Sequence, residues 1–232
     1  MRLHYLEAMG IDVWAPRTST SWAYAAGDAD AADHSITEAV SATSAPATDN
    51  WDLLQAEVAA CRKCVLCETR TQTVFGSGNK QADWLLIGEA PGQNEDQQGQ
   101  PFVGSAGQLL TEMLRAIGLA REDIFIANIV KCRPPGNRDP KADEVAACHD
   151  YLQRQRALIK PKIILALGRI AAQTLLKTDA PLAKLRGNVH TLEGTPVVVI
   201  YHPAYLLRTL IDKRKAWMDL QLALKTYKNF EG

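Results

Sequence analysis

An α/β fold, a mostly parallel sheet covered by helices on both faces, is predicted for residues 51 to 232, and three observations predict it. Four short runs, Trp84 to Ile87, Ile124 to Val130, Lys162 to Leu167 and Val197 to Tyr201, are apolar almost throughout instead of alternating, as strands buried on both faces are. Between and after them lie stretches at helical periodicity: Ser105 to Ile117, Ala142 to Leu158, Arg169 to Leu176, and Leu206 to Tyr227. Apolar runs such as Ile163 to Leu167 fall far short of the ~20 residues a membrane helix needs, so no span is expected. Hydrophobic residues at 47% and charged ones at 22% exclude a wholly disordered or collagenous chain.

The elements follow in order. A helix starts at Trp51, capped by Asp49 or Asn50, with Leu53, Leu54, Val58 and Ala59 at helical spacing; Cys61 and Cys64 are expected on it. The first strand runs into Gly88-Glu89-Ala90-Pro91-Gly92, then Glu95-Asp96 and Pro101-Phe102-Val103-Gly104, a glycine-bearing loop that is neither a P-loop nor a dinucleotide fingerprint. The second strand carries Asn128 among apolar neighbours. A buried amide must be hydrogen-bonded, either to a structural partner or to the donor and acceptor edge of a nucleobase. The last strand ends at His202-Pro203, where proline restricts the backbone beside a histidine. Sheets of this kind bind ligands beyond their carboxyl ends, so the loops after Ile87, Val130, Leu167 and Tyr201 are the candidate site.

The N-terminal residues lack the continuous apolar core of a signal peptide, so the cytoplasm is the expected compartment. Five cysteines there are not a disulfide framework. Cys61-x2-Cys64 forms one pair and Cys132 with Cys148 a second, a set suited to metal; tetrathiolate zinc and an iron–sulfur cluster both fit this spacing. Basic residues of the loop Lys131 to Arg138 would sit beside it.

Charge divides the chain. Overall, 26 Lys and Arg balance 26 Asp and Glu, but residues 18 to 50 hold no basic residue and a net charge of −5. Ala, Ser, Thr and Asp make up 24 of those 33 residues, a composition that cannot bury enough apolar surface to offset ordering entropy, so a disordered linker is expected. Residues 1 to 17 are neutral, which leaves residues 51 to 232 at +5, a modest pointer to a polyanion partner.

The segments quoted above, together with Val74-Phe75-Gly76-x-Gly78-Asn79, Asn128-Ile129-Val130-Lys131-Cys132-Arg133-Pro134-Pro135 and His202-Pro203-x-Tyr205-Leu206-Leu207-Arg208, closely resemble the family 4 (iron–sulfur) uracil-DNA glycosylases over roughly residues 51 to 226. The resemblance implies a three-layer α/β/α fold around a four-stranded parallel sheet, a monomeric domain, and a structural [4Fe-4S] cluster held by Cys61, Cys64, Cys132 and Cys148, with Cys67 spare. It implies excision of uracil from DNA in base excision repair. Phe102 would stack on the flipped base, Asn128 read its edge, and Gly88, Ala90 and Glu95 line its pocket. His202 would donate to uracil O2, and Glu89, or Glu95 acting indirectly, would assist the water. In the best-known branch of the superfamily a carboxylate stands at Ala90, so alanine moves that task elsewhere. Leu206 and Leu207 would wedge into the duplex, with Arg133, Arg138 and Arg208 on DNA. The basic insertion that goes with covalent capture of DNA is absent from Cys132 to Pro140.

Residues 3 to 17 lie outside that pattern. Their apolar residue followed by Gly10-Ile11-x-x-Trp14-x-x-Arg17 is similar to the N-terminal peptide of the psi subunit of the bacterial DNA polymerase III clamp loader. That resemblance implies a replisome contact through Ile11 and Trp14. Two function classes follow: a glycosylase, free or tethered, and a psi-like accessory subunit whose glycosylase-like domain is non-catalytic.

Overall fold

The computed structural model describes residues 50–229; the peptide 1–17 with Ile11 and Trp14, and the tract 18–49, lie outside the described residues. Helix α1, Trp51–Ala59, is capped by Asn50, whose side chain accepts from the Leu53 amide. It ends before Cys61 and Cys64, which were expected on it. The chain turns there and carries both thiols back towards Cys132 and Cys148 in a short loop.

The remaining elements alternate: β1 (Ser77–Gly78), β2 (Trp84–Gly88), α2 (Gln93–Gln98), α3 (Ser105–Ala116), β3 (Ile124–Asn128), α4 (Ala142–Ile159), β4 (Ile163–Leu167), α5 (Arg169–Leu176), α6 (Leu182–Leu185), β5 (Val189–Leu192), β6 (Thr195–Ile200), α7 (Pro203–Arg208) and α8 (Lys213–Lys228). The sheet has six strands in the order β1-β3-β2-β4-β6-β5 and is mixed, not a four-stranded parallel sheet. The four predicted strands are its inner members and run parallel; β1 and β5 pair antiparallel at the edges. Both edges escape the apolar-run criterion because β1 is two residues long and β5 alternates between exposed and half-buried positions. The β5–β6 hairpin closes through Glu193 and Gly194, both at positive φ as a two-residue primed turn requires.

Alternate side chains of each inner strand feed separate cores, which is why the strands read as continuously apolar. Leu85, Ile87, Ile164 and Val199 pack with α1, α4 and α5; Trp84, Leu86, Leu165 and Ile200 pack with α3 and α8. The result is a three-layer α/β/α arrangement. The predicted helix Leu206 to Tyr227 is two helices, with the chain turning at Thr209 and a 3-10 turn at Leu210–Asp212. Tyr205 donates to the buried Asp212 carboxylate at 2.7 Å and fixes that corner, so α7 stays at the strand ends while α8 returns across the sheet. No helix among the described residues is long and apolar enough to cross a membrane.

Candidate active site

The carboxyl ends of β2, β3 and β6 converge on a cavity of about 410 Å³ whose walls include Glu89, Phe102, Asn128, His202, Tyr205 and Arg208. Ala90, Glu95 and Arg138 also line it. Register explains the convergence: Gly88 pairs with Asn128, and the ladder continues one step as the Ile129 amide donates to Gly88 O and the Val130 amide to Glu89 O. Gly88 supplies space. A Cβ there would lie 2.4 Å from Asn128 Oδ1 and 2.8 Å from the Phe102 ring.

Asn128 Oδ1 is the one buried side-chain nitrogen or oxygen among the described residues with no hydrogen-bond partner. Leaving such an acceptor unpaired costs about 1–3 kcal/mol, a cost that a ligand N–H at this position would offset. Beneath it, the buried Lys131 ammonium donates to the Asn128 carbonyl at 2.9 Å and to Gln155 Oε1 at 2.6 Å. Lys131 therefore holds the strand end from inside instead of presenting its charge on the basic loop.

His202 caps α7: the Ala204 amide donates to Nδ1 at 3.1 Å, which leaves the ring proton on Nε2. Burial, with Arg208 nearby, pushes its pKa down to about 4, so the ring is a neutral donor at pH 7. Its ring centroid is 5.5 Å from that of Phe102. Glu89 is shifted the other way, to about 7, by burial and the neighbouring Asp139, with Arg169 opposing. The cavity thus combines an aromatic face, an unpaired amide acceptor, a neutral N–H donor and a carboxylate that ionises near neutrality. That set suits a planar heterocycle that leaves as an anion.

The remaining expected residues are distributed less evenly. Glu95 Oε1 accepts from the Val103 and Gly104 amides at 2.9 and 3.0 Å, so one carboxylate oxygen is engaged in holding the loop. Arg138 donates through both terminal nitrogens to the buried Glu144, which neutralises its charge and pins the loop over the cavity. Arg133 is half-buried and bonded to Asn137, whereas Arg208 is exposed. Leu206 is 1% exposed and packs in the core under α7; its neighbour Leu207, 42% exposed, points outward. Adjacent residues on a helix project about 100° apart, so of the expected wedge pair only Leu207 faces outward. Arg121, which reaches the carbonyls of Pro101 and Phe102, carried no sequence signal; only the tertiary approach of its loop reveals it.

All five cysteines, Cys67 included, line a second, small cavity beneath α1. N–H donors face the sulfurs: Arg70 Nη1 to Cys132 at 3.0 Å, the Lys131 amide to Cys148 at 3.3 Å and the Lys63 amide to Cys61 at 3.5 Å. Thiolates around an iron–sulfur core carry net negative charge that such donors offset, so the donor set fits that chemistry. Among the described residues no group of three or more His, Cys, Asp or Glu side chains is arranged to hold a metal ion.

Residues 75–221 match the Uracil DNA glycosylase superfamily. The type-4 uracil-DNA glycosylase of Archaeoglobus fulgidus is 47% identical over 167 residues, covering 68% of this chain and 84% of that one. Those of Saccharolobus solfataricus and Thermotoga maritima are 49% and 44% identical over 168 and 159 residues, covering 68% of this chain in both cases and 78% and 83% of theirs.

The tautomer and charge of His202 are open to direct measurement. Nitrogen chemical shifts of the labelled imidazole are expected to show Nε2–H and titration near pH 4; an ordinary midpoint near 6.5 would contradict the neutral donor.

Proposed function

This chain belongs to the uracil DNA glycosylase superfamily, and we infer that it is a uracil-DNA glycosylase that hydrolyses the N-glycosidic bond of deoxyuridine in DNA, opening base excision repair. The observation that carries this reading beyond kinship is the unpaired Asn128 Oδ1 in the cavity wall. Uracil enters a pocket only after flipping from the stack, at a cost of a few kcal/mol. Its N3–H then satisfies Asn128 Oδ1 and its O4 accepts from Nδ2. Cytosine presents an acceptor and a donor at those positions, so with the amide in this orientation both contacts fail.

Phe102 stacks on the base. As the glycosidic bond lengthens, negative charge gathers on uracil O2, and the neutral His202 Nε2–H donates there. A preorganised donor of this kind is worth about 3 kcal/mol of barrier. Glu89, once ionised, orients the water for attack at the sugar C1′; Ala90 has no group for that task. Leu207 fills the gap in the duplex and Arg208, with Arg133, contacts phosphate. Cys61, Cys64, Cys132 and Cys148 would hold a [4Fe-4S] cluster, whose contribution when bound is to tie the α1 loop to the loop after β3. Residues 3–17 serve as a docking peptide through Ile11 and Trp14; what supports this is their psi-like pattern and the acidic, uncharged-rich tract that follows. A non-catalytic accessory domain is not favoured, because the relatives are named as glycosylases across most of their length.

Purified protein is expected to convert a uracil-containing single strand to alkali-labile product, and Asn128→Ala to lower kcat/KM by about 10–100-fold, the size of a lost hydrogen bond that leaves a polar edge unpaired. Absence of product at enzyme excess would overturn the activity.

Excision should rise with pH up to about 7 and then level, because a carboxyl with a raised pKa accepts from water only after losing its proton. In Glu89→Gln that rising limb should vanish together with most of the rate; an unchanged profile would remove Glu89 from the water's path.

Iron and acid-labile sulfide are expected at about four each per chain, falling sharply in Cys148→Ala. A colourless protein with stoichiometric zinc would replace the cluster with a zinc site.

A further inference from the structure

Phe102 has φ +54°, in the left-handed region where a bulky side chain is strained. Such a conformation persists only where the surroundings impose it, and two charged side chains do so from opposite sides. Arg121, in the turn before β3, donates Nη1 to the Phe102 carbonyl at 3.0 Å and Nη2 to the Pro101 carbonyl at 2.9 Å, and Nη1 is also 3.4 Å from Thr111 Oγ1. Glu95 takes the next two amides, those of Val103 and Gly104. The segment Pro101–Gly104 is therefore gripped by a cation on its carbonyls and an anion on its amides.

Helix α3 closes the arrangement. A Cβ on Gly107 would fall 1.8 Å from the Phe102 carbonyl oxygen, so the helix can approach only because that position has no side chain. The Arg121 guanidinium is partly buried, and its hydrogen-bond partners are two carbonyls and a hydroxyl; burial pushes its pKa below the usual arginine value. A planar fork can span two successive carbonyls, which an ammonium cannot do in the same geometry.

We propose that Arg121 is a positioning residue for uracil capture, holding Phe102 in its left-handed conformation so that the ring stands ready as the stacking face of the pocket. The inference rests on the reading of Phe102 as the base-stacking residue of a uracil glycosylase. Arg121 acts on the substrate only through Phe102, so its effect must vanish when the ring is gone.

The test is single-turnover excision of uracil from an oligonucleotide by the wild type, Arg121→Ala, Arg121→Lys, Phe102→Ala and the double variant Phe102→Ala/Arg121→Ala. Arg121→Ala is expected to slow excision by about tenfold or more in the wild-type background and by less than about twofold in the Phe102→Ala background, the non-additivity of residues acting as one unit. Affinity for DNA carrying an abasic site, which offers no base to stack, should stay within about twofold of wild type for Arg121→Ala. Arg121→Lys, which keeps the charge and loses the fork, carries the same comparison if the alanine variant unfolds, with an intermediate loss that again disappears without Phe102. Equal losses in both backgrounds, or a matching loss of abasic-DNA binding, would overturn the role while leaving the glycosylase reading intact. A wild-type protein with no excision would overturn both.

Discussion

The register of β2 against β3 sets Gly88 opposite Asn128, and the rest of the site is arranged around the room that pairing leaves. With no side chain at Gly88, the Asn128 amide and the Phe102 ring both lean into one volume; a single methyl there would overlap both. The amide oxygen so placed has no partner, although most of the domain satisfies its buried polar atoms. An acceptor left unpaired at that position is a local loss of stability that a ligand N–H would restore.

Electrostatics around the cavity follows from the same confinement. Burial raises the Glu89 carboxyl and lowers the His202 imidazole, so both are held near their neutral forms although their ordinary values lie on opposite sides of pH 5. A neutral histidine is the donor that a departing uracil anion needs, and a carboxylate poised near 7 is available as a base under ordinary conditions. Neither group owes its state mainly to a salt bridge; burial is the leading cause for both, with Arg208 adding to the fall at His202 and Asp139 to the rise at Glu89.

A net charge of +5 on the domain overstates the free positive charge on its surface. Lys131 is 1% exposed and supports Asn128 from below, Arg138 is matched by Glu144, and Arg121 reaches backbone carbonyls. These cations shape the pocket. At the rim of the cavity Arg208 and Leu207 are exposed, and Arg133 is half-buried. The loop Lys131 to Arg138 joins the cysteine-lined cavity to the base pocket, because the Lys131 amide bonds Cys148 while its ammonium bonds Asn128.

The inner strands, the helices α3, α4 and α5, and the polar residues at strand ends were legible in the sequence because they depend on local periodicity and on motifs written in consecutive residues. Asn128 stands out as a polar residue in an apolar run, and His202 as a histidine before proline. The edge strands, the break at Thr209, the burial of Leu206 and the role of Arg121 were not legible. Most depend on a partner distant in sequence, β1 on β3, α8 on the sheet, Arg121 on carbonyls about twenty residues away, whereas β5 was missed because its residues alternate between exposed and half-buried. Charge is the clearest case. Sequence alone determines how many cations the domain carries, because composition is additive; only the tertiary structure decides which of them face outward, because desolvation and pairing depend on distances that the chain sets when it folds.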